Sequence, residues 1–389
     1  MNTIPSVALL IETSREYARG LLRGIASYHK KHGPWSMYFE PHGLQDSPPE
    51  WLKGWKGDGI LVRINDQQMA DAVIETGIPA VDVRGAFANL DVPFIGVDNR
   101  PVSALAFKHL RDCGLRNFAF CGTPRGENRN QDRRCDYFVD LAEQEGFCCS
   151  VFTGNGHKHS LIEWESLLED ISEWLKHLPK PVGIMTCHDD RGQQVLDACR
   201  RAGYQVPDEV AVIGVDNDPM LCNLCNPPLT SIDVYPSRIG FEAAAQLNKA
   251  MSGESLPSDP LLLGPPRGIA ARQSTNMLTV EDEEVSLAIK YIRENAVKGI
   301  RVNEVLATSK KSPSTLERRI KKALGRTIKA EITRVRISHA KLLLCETDLR
   351  VYQVATRTGF NEAKYFCDVF RKKEGLTAIE FRNKFRDHV

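Results

Sequence analysis

The sequence lacks any run of 18 consecutive apolar residues, the length at which a membrane-spanning helix becomes a candidate. Its first residues also lack a basic stretch followed by an apolar stretch of signal-peptide length. No low-complexity tract interrupts the 389 residues, of which 42% are hydrophobic and 26% are charged. We therefore expect a folded cytoplasmic protein that neither enters a membrane nor is secreted.

Motifs for common catalytic chemistry are missing as well. The sequence contains no phosphate-binding glycine loop and no nucleophile motif. Eleven cysteines are scattered through the chain, and a reducing cytosol would keep them as free thiols. Cys222 and Cys225 have the spacing of a metal or redox pair, but no second Cys or His pair lies near them. We expect no metal, no cofactor and no enzymatic activity.

Charge is distributed unevenly along a chain whose length suggests roughly two or three domains. Residues 285–389 contain 24 Lys and Arg and 11 Asp and Glu, whereas residues 1–284 contain 27 and 39. A basic module attracts the phosphate backbone of a nucleic acid and an acidic module is repelled by it. A solvated lysine-rich helical surface would give the same counts, so charge alone does not decide the function.

The boundary between the two parts is visible in the local sequence. The stretch GPPRG at residues 264–268 precedes an irregular polar segment that ends in EDEE at residues 281–284, and a helical apolar periodicity begins at Val285. The sequence therefore predicts one domain over residues 1–275, a linker over residues 276–284 and a second domain over residues 285–389.

The basic segment contains an internal repeat with an offset of 50 residues. The first set recurs in kind in the second: Leu316, Ile320, Lys321, Gly325 and Thr327 correspond to Phe366, Phe370, Arg371, Gly375 and Thr377. Each set follows a shorter helical stretch and a turn, which indicates two helix-turn-helix units. Ser312 and Pro313 predict the start of the second helix of the first unit, and Asn361 is expected to cap its counterpart.

The second helix of each predicted unit has an apolar inner face and a polar outer face. The outward groups are able to reach phosphates or base edges, as recognition helices require. They are Ser314, Glu317, Arg318 and Lys321 in the first unit, and Lys364, Cys367, Asp368 and Arg371 in the second.

The segment GFNEAKYFCDVFRKKEGLT, residues 359–377, resembles the signature of the AraC family of transcription regulators. Upstream, RISHAKLLL at residues 336–344 resembles the helix that connects the two units in that family. The resemblance implies an all-α double helix-turn-helix domain that binds tandem half-sites of double-stranded DNA in successive major grooves. By position it implies base-facing roles for these residues: Ser314, Glu317 and Arg318 in the first unit, and Ala363, Lys364, Cys367 and Asp368 in the second.

Residues 1–275 alternate short apolar runs with amphipathic stretches, which is typical of an α/β fold. Strands are predicted at residues 7–11, 59–62, 80–83, 118–120, 183–186 and 210–213, and a helix at 189–202. The pentapeptide IGVDN at residues 95–99 returns unchanged at residues 213–217. Two parallel-sheet lobes with polar residues at their strand ends would form a cleft for a small ligand.

The stretch YQVPDEVAVIGVDN at residues 204–217, followed by PPLTSI at 227–232, is similar to the sensor of lactose-repressor-type regulators. That fold is shared with periplasmic sugar-binding proteins, so the resemblance implies a two-lobed periplasmic-binding-protein-like (type I) α/β sensor. Five residues are predicted to contact a sugar, since carboxylates accept from hydroxyls, arginine donates and an aromatic ring covers an apolar sugar face. They are Tyr17, Arg134, Asp189, Asp216 and Asn217.

Four of these residues also have a purely structural interpretation. Arg134 could be a solvated helix charge, Asp189 a helix N-cap, and Asp216 and Asn217 turn residues.

The order of the domains narrows the resemblance further. Lactose-type repressors usually carry their DNA-binding unit at the N-terminus, whereas here it follows the sensor. This combination resembles the family of xylose operon regulators, whose members activate pentose catabolic genes when sugar binds. It implies a homodimeric activator with D-xylose as effector. From the two-lobed sensor joined to a paired DNA-binding domain, we expect that sugar closes the cleft and changes the dimer geometry.

The residues themselves do not select xylose over arabinose, ribose or a hexose. Two other functions remain open: a sugar-modifying enzyme, and a constitutive DNA-binding protein without ligand control.

Overall fold

Short apolar runs followed by amphipathic helices build a four-stranded, a six-stranded and a two-stranded β-sheet in the described residues of the N-terminal part of the chain. The computed structural model describes residues 4–41, 43, 46–87, 90–154, 161–257, 259–276 and 282–385. The strands are β1 (Ser6–Leu10), β2 (Ser36–Phe39), β3 (Gly59–Val62), β4 (Ala80–Asp82), β5 (Ile95–Val97), β6 (Asn117–Cys121), β7 (Cys149–Phe152), β8 (Val182–Thr186), β9 (Val210–Val215), β10 (Thr230–Asp233), β11 (Leu261–Leu263) and β12 (Gly268–Ala270).

Fifteen α-helices accompany these strands in the described residues. Those of the N-terminal part are α1 (Glu16–His32), α2 (Gln67–Ile74), α3 (Asn99–Asp112), α4 (Arg129–Gln144), α5 (Leu161–His177), α6 (Asp189–Ala202), α7 (Pro219–Leu224) and α8 (Pro236–Met251). Those of the C-terminal part are α9 (Glu283–Asn295), α10 (Val302–Leu306), α11 (Pro313–Leu324), α12 (Ile328–Glu346), α13 (Val351–Arg357), α14 (Ala363–Glu374) and α15 (Ala378–Phe385).

The first lobe is built on a four-stranded parallel sheet in the order β2-β1-β3-β4, with β5 and β11 paired beside it. Side chains alternate across β1 because successive residues of a strand point to opposite faces. Val7 and Leu9 pack on the side of α1 and α8, whereas Ala8 and Leu10 pack on the side of α2. The sheet is thus buried on both faces.

The second lobe contains a six-stranded sheet in the order β12-β10-β9-β8-β6-β7, in which only β12 is antiparallel to its neighbour. Its two faces are covered by α3 and α4 on one side and by α5 and α6 on the other. The six predicted strands and the predicted helix at 189–202 are all present, with ends that differ by no more than one or two residues.

Within the described residues, the chain passes between the lobes at three places. Residues 98–99 lead from β5 to α3, residues 234–235 lead from β10 to α8, and residues 264–267 lead from β11 to β12. We call these segments the first, second and third crossovers. Rotation of one lobe relative to the other would change the backbone of these segments.

The C-terminal helices form two units with separate apolar cores. The first core contains Val285, Ile292, Leu316 and Ile320, and the second contains Val354, Phe360, Phe366 and Phe370. Helix α12 supplies residues to both cores and so joins the units rigidly. The prediction of an α/β part followed by an all-α part with two units is confirmed.

The 50-residue repeat is reproduced in the backbone. Helices α11 and α14 are both 12 residues long, and each ends at a glycine in the left-handed conformation, Gly325 (φ 68°) and Gly375 (φ 73°). Ser312 caps α11 by accepting from the Thr315 N–H, as predicted. The prediction for Asn361 is wrong, because α14 begins one residue later than it requires and Glu362 takes the N-cap position without a side-chain bond.

The predicted linker, residues 276–284, falls largely outside the described residues, which omit 277–281. Its end is attached to the first unit, where Asp282 pairs with Lys311 (2.8 Å) and with Arg319. The boundaries predicted from the sequence remain predictions.

Candidate functional site

Polar side chains line the carboxyl ends of the first-lobe strands, where parallel sheets usually bind ligands. Glu12 and Arg63 follow β1 and β3 and form a buried ion pair. Asp82, the last residue of β4, accepts hydrogen bonds from the N–H groups of residues 64, 84 and 85. Burial raises the pKa of Asp82, although these bonds oppose the shift.

Tyr17, on α1, lies beside Arg63 of the first-lobe cluster. The Arg63 guanidinium lies 5.1 Å from the centre of the Tyr17 ring. Burial raises the pKa of Tyr17, with Arg63 opposing the shift and Asp216 and Arg134 also within electrostatic range. Three of the five predicted sugar contacts, from two lobes, therefore converge on one part of the cleft.

Hydrogen bonds to other protein groups hold the Arg134 side chain in place. Its side chain on α4 is only 6% exposed, which excludes the alternative of a solvated helix charge. Nε donates to Asn99 Oδ1 (2.8 Å) and Nη1 donates to the Cys187 carbonyl. Asn99 in turn donates to Asn130 Oδ1 (2.7 Å). These bonds orient the guanidinium.

Asp216 lies at the end of β9 with its backbone in a left-handed conformation (φ 105°). Burial raises the pKa of its carboxyl to about 6, while Arg134, Arg15 and Arg63 oppose the shift. No described residue donates a hydrogen bond to the carboxylate. An acceptor that lies within electrostatic range of guanidinium groups and has no protein donor is suited to a ligand hydroxyl.

Asp189 and Asn217 are hydrogen bonded to protein groups. Asp189 accepts from Ser231 Oγ (2.5 Å) and from the Asp218 N–H (2.8 Å), and Asn217 Oδ1 accepts from Arg272 (2.9 Å). Burial and the nearby Asp216 raise the pKa of Asp189 strongly. The two residues stabilise the wall of the cleft, and their predicted sugar contact remains a prediction.

The structure excludes the structural interpretation of Asp189 and supports that of Asp216 and Asn217. Asp189 is not an N-cap, because His188 occupies that position in α6 and accepts from the Arg191 N–H through Nδ1 (3.1 Å). Asp216 and Asn217 are indeed turn residues, with φ values of 105° and 53°.

Sequence reasoning missed the charged residues of the first lobe. Arg15 pairs with Asp190 (3.0 Å) and Arg19 with Asp218 (3.5 Å), and both pairs join the first lobe to the second. Arg84 also belongs to this group, and burial together with Arg63 lowers its pKa to about 10. Glu12, Arg63 and Arg84 lie directly after predicted strands, which is the signal that would have found them.

The second candidate surface is formed by α11 and α14. Seven of the nine residues predicted to contact DNA are exposed: Ser314, Glu317, Arg318, Lys321, Lys364, Asp368 and Arg371. Ala363 and Cys367 are half-buried and pack against the core of the second unit. The two helices thus present rows of charged and hydrogen-bonding groups to solvent.

Other chemistry finds little support in the described parts of the chain. No group of three His, Cys, Asp or Glu side chains is placed to hold a metal ion. Burial raises the pKa of Cys222, and its thiol donates a hydrogen bond to Asp189. None of the described helices is both long enough and apolar enough to span a bilayer.

Comparison with known proteins agrees with this arrangement. Residues 6–100 match the family described as the XylR N-terminal domain, residues 107–275 a periplasmic binding protein-like domain, and residues 307–384 a helix-turn-helix domain. The xylose operon regulatory protein of Haemophilus influenzae is 30% identical over 382 residues, which cover 97% of each chain. The chain belongs to the family of xylose operon regulatory proteins.

Other members of the family extend the comparison. The xylose operon regulatory protein of Escherichia coli (strain K12) is 29% identical over 383 residues, 97% of this chain and 96% of the relative. The solved structure of the xylose-binding transcription activator XylR superimposes with a TM-score of 0.64 at 28% identity and covers 99% of both chains.

These matches identify the N-terminal part as a type I periplasmic-binding-protein-like sensor and the C-terminal part as an AraC-type helix-turn-helix domain. The chain is a sugar-responsive, DNA-binding transcription regulator.

Proposed function

We propose that this regulator binds D-xylose in the cleft between its lobes and then activates pentose catabolic genes. The observation that carries the proposal is the convergence of Tyr17, Arg134 and Asp216, with Arg63 beside them. Together they offer a ring face, oriented donors and an unbonded acceptor, which is the set that a small neutral sugar requires. The names of two relatives and of one solved structure point to xylose among the sugars.

On the DNA side, α11 and α14 would enter successive major grooves, about 34–36 Å apart. The exposed Arg318 and Lys364 are the strongest candidates for base contacts, since cationic side chains pair with guanine edges. Helix α12 supports this role because it fixes the distance between the two units.

The sugar would act through different affinities for two conformations of a homodimer in the cytoplasm. The same chain would release the sugar unchanged, since its role is that of an effector and not of a substrate. The domain limits for this mechanism are residues 1–275 for the sensor and 285–389 for the DNA reader.

Calorimetry of the full chain against D-xylose, L-arabinose, D-ribose and D-glucose tests the sugar proposal. We expect the tightest binding for D-xylose and at least about a tenfold loss in Arg134→Gln, because a charged donor is worth about 1.5–3 kcal/mol. Arg133→Gln, the neighbouring position on α4, is the matched control and should bind normally. Absence of binding for all four sugars would refute the proposal.

DNA binding is tested separately by fluorescence anisotropy with operator DNA, with and without saturating sugar. Sugar should increase operator affinity and leave binding to unrelated DNA unchanged. An affinity that is the same for all sequences would favour a constitutive DNA-binding protein, and conversion of the sugar would favour an enzyme.

A further inference from the structure

Tyr235 occupies an unusual position in the second crossover. It lies between β10 of the second lobe and α8 of the first lobe, and its backbone is left-handed (φ 63°, ψ 57°). A bulky non-glycine residue in this region is strained and persists only where the surroundings enforce it. The strain therefore points to contacts that hold Tyr235 in place.

Those contacts come from the DNA-binding domain. The Tyr235 ring is 8% exposed and belongs to the apolar core of the second unit, with its centre 6.0 Å from that of Phe385. The guanidinium of Arg267, from the third crossover, also lies 3.8 Å from the ring centre. A crossover residue of the sensor is thus part of the core of one helix-turn-helix unit. We call the two helix-turn-helix units of the C-terminal domain the reading units.

Residues that flank the second crossover are hydrogen bonded to the third crossover. The Arg267 N–H donates to the Asp233 carbonyl (2.9 Å), and Arg238 donates to the Gly264 carbonyl (2.9 Å). Strand β12, which follows the third crossover, lies against α12. The third crossover is therefore followed directly by a strand that contacts the helix joining the two units.

Among the described residues, two further contacts of the DNA-binding domain lie outside the crossovers. Asp112, at the end of α3, approaches Arg326 (3.9 Å), and Asn276 accepts from Arg293 (3.3 Å). These groups do not belong to a crossover, so rotation of the lobes leaves their backbone unchanged. Hinge residues, by contrast, absorb the changes in φ and ψ when lobes rotate.

We propose that Tyr235 is a positioning residue that transmits lobe rotation to the second reading unit. When the cleft closes, the change of backbone at Tyr235 swings its ring, and α14 and α15 move with it. The inference rests on the proposed sugar response and adds the residue through which that response reaches the DNA.

The test compares operator affinity of the full chain with and without saturating D-xylose. The ratio of the two dissociation constants measures coupling, which in allosteric proteins is about 5- to 150-fold. In Tyr235→Ala we expect the ratio to fall close to one while calorimetry still shows sugar binding. Tyr235→Phe keeps the ring and should restore the ratio of the unchanged protein, and Asp112→Asn, at the contact outside the hinge, should keep it as well.

A normal coupling ratio in Tyr235→Ala would overturn the role of Tyr235. Phe385→Ala removes the partner ring without touching the hinge and should lower the ratio in the same way, so it decides the matter if Tyr235→Ala fails to fold. A ratio of one in the unchanged protein would instead overturn the sugar response itself. The two proposals therefore fail in distinguishable ways.

Discussion

The two reading units have recognition helices of equal length, but one equivalent buried position holds an ionic side chain in the first unit and an aromatic side chain in the second. Position 331 of the first unit and position 381 of the second are equivalent in the 50-residue repeat, and both side chains are buried. The first is Glu331, fully buried and hydrogen bonded by Arg334 (2.7 and 2.9 Å) and Arg326 (2.7 Å). The second is Phe381, whose ring packs on Phe370 and Phe385 at 5.4 and 4.5 Å.

The surroundings explain the difference. Glu331 lies where the first unit meets charged and polar residues of the second lobe, including Asp112 and His109. Burial, with Arg334 and Arg293 nearby, lowers the pKa of His109 to about 3, so its imidazole adds no positive charge. Phe381 lies in the core that receives Tyr235 from the hinge. A repeat thus preserves positions and packing geometry, while each copy takes its chemistry from what it docks against.

The largest expected change in the free energy of unfolding comes from removing the ion pairs of Glu331 with its surrounding arginines, which we call the ion cluster. Glu331→Ala should destabilise the helical domain by about 3–5 kcal/mol, because it leaves the nearly buried Arg293 and two half-buried arginines without their counter-charge. Urea unfolding followed by circular dichroism measures it, and tryptophan fluorescence reports on the sensor, since all five tryptophans lie before residue 175. The exposed Glu294→Ala should change stability by no more than about 0.5 kcal/mol. An equally small change in Glu331→Ala would show that the cluster contributes nothing.

The comparison becomes sharper when pH is varied. Burial alone would raise the pKa of Glu331, but the hydrogen bonds and charges of the arginines lower it to about 2, from 4.5 in an unfolded chain. Its stabilisation is therefore complete above pH 4.5 and is lost as the pH falls towards 2.

The measurement is the free energy of unfolding at pH 7, 4.5 and 3. The gap between the unchanged protein and Glu331→Gln should narrow below pH 4.5. Phe381→Ala should cost about 3–5 kcal/mol at every pH, because no titrating group is removed. If the difference in unfolding free energy between the unchanged protein and Glu331→Gln were as independent of pH as that for Phe381→Ala, the contrast between an ionic and an apolar centre would be wrong.

At the DNA surface, the two units should read separate half-sites. Arg318→Ala is expected to relax preference at one position of the first half-site by about 1–3 kcal/mol, and Lys364→Ala should act only on the second. Binding to operators with one half-site scrambled measures this and supplies the internal control. A uniform loss across all sequences would mean that the side chain contacts phosphate and not a base.

The smallest difference is expected at the ends of the recognition helices. Gly325→Ala and Gly375→Ala should each cost about 1–2 kcal/mol, since both residues are left-handed and an added methyl group meets no atom within 4 Å. Gly359→Ala should cost more, because its Cβ would lie 2.7 Å from the Ala296 carbonyl oxygen. Thermal unfolding of the three variants tests the order, and unequal costs at 325 and 375 would break the equivalence of the units.

The two copies of IGVDN in the candidate cleft show which features a local sequence pattern predicts and which it does not. The identical IGVDN segments end two strands, as predicted, yet the first continues into α3 behind an Asp98 cap and the second turns through two left-handed residues. In both copies the asparagine orients an arginine: Asn99 accepts from Arg134 and Asn217 from Arg272. The backbone differs because the surrounding chain differs, which a five-residue pattern does not record.

The sequence by itself determined the order of the α/β and all-α parts and the presence of the two reading units. These follow from periodicity, caps and charge, which act over a few residues. Only the tertiary structure decided that Arg63 faces Tyr17, that Glu331 gathers arginines and that Tyr235 enters the second unit. Such contacts join residues far apart in the chain, and they depend on how whole elements pack.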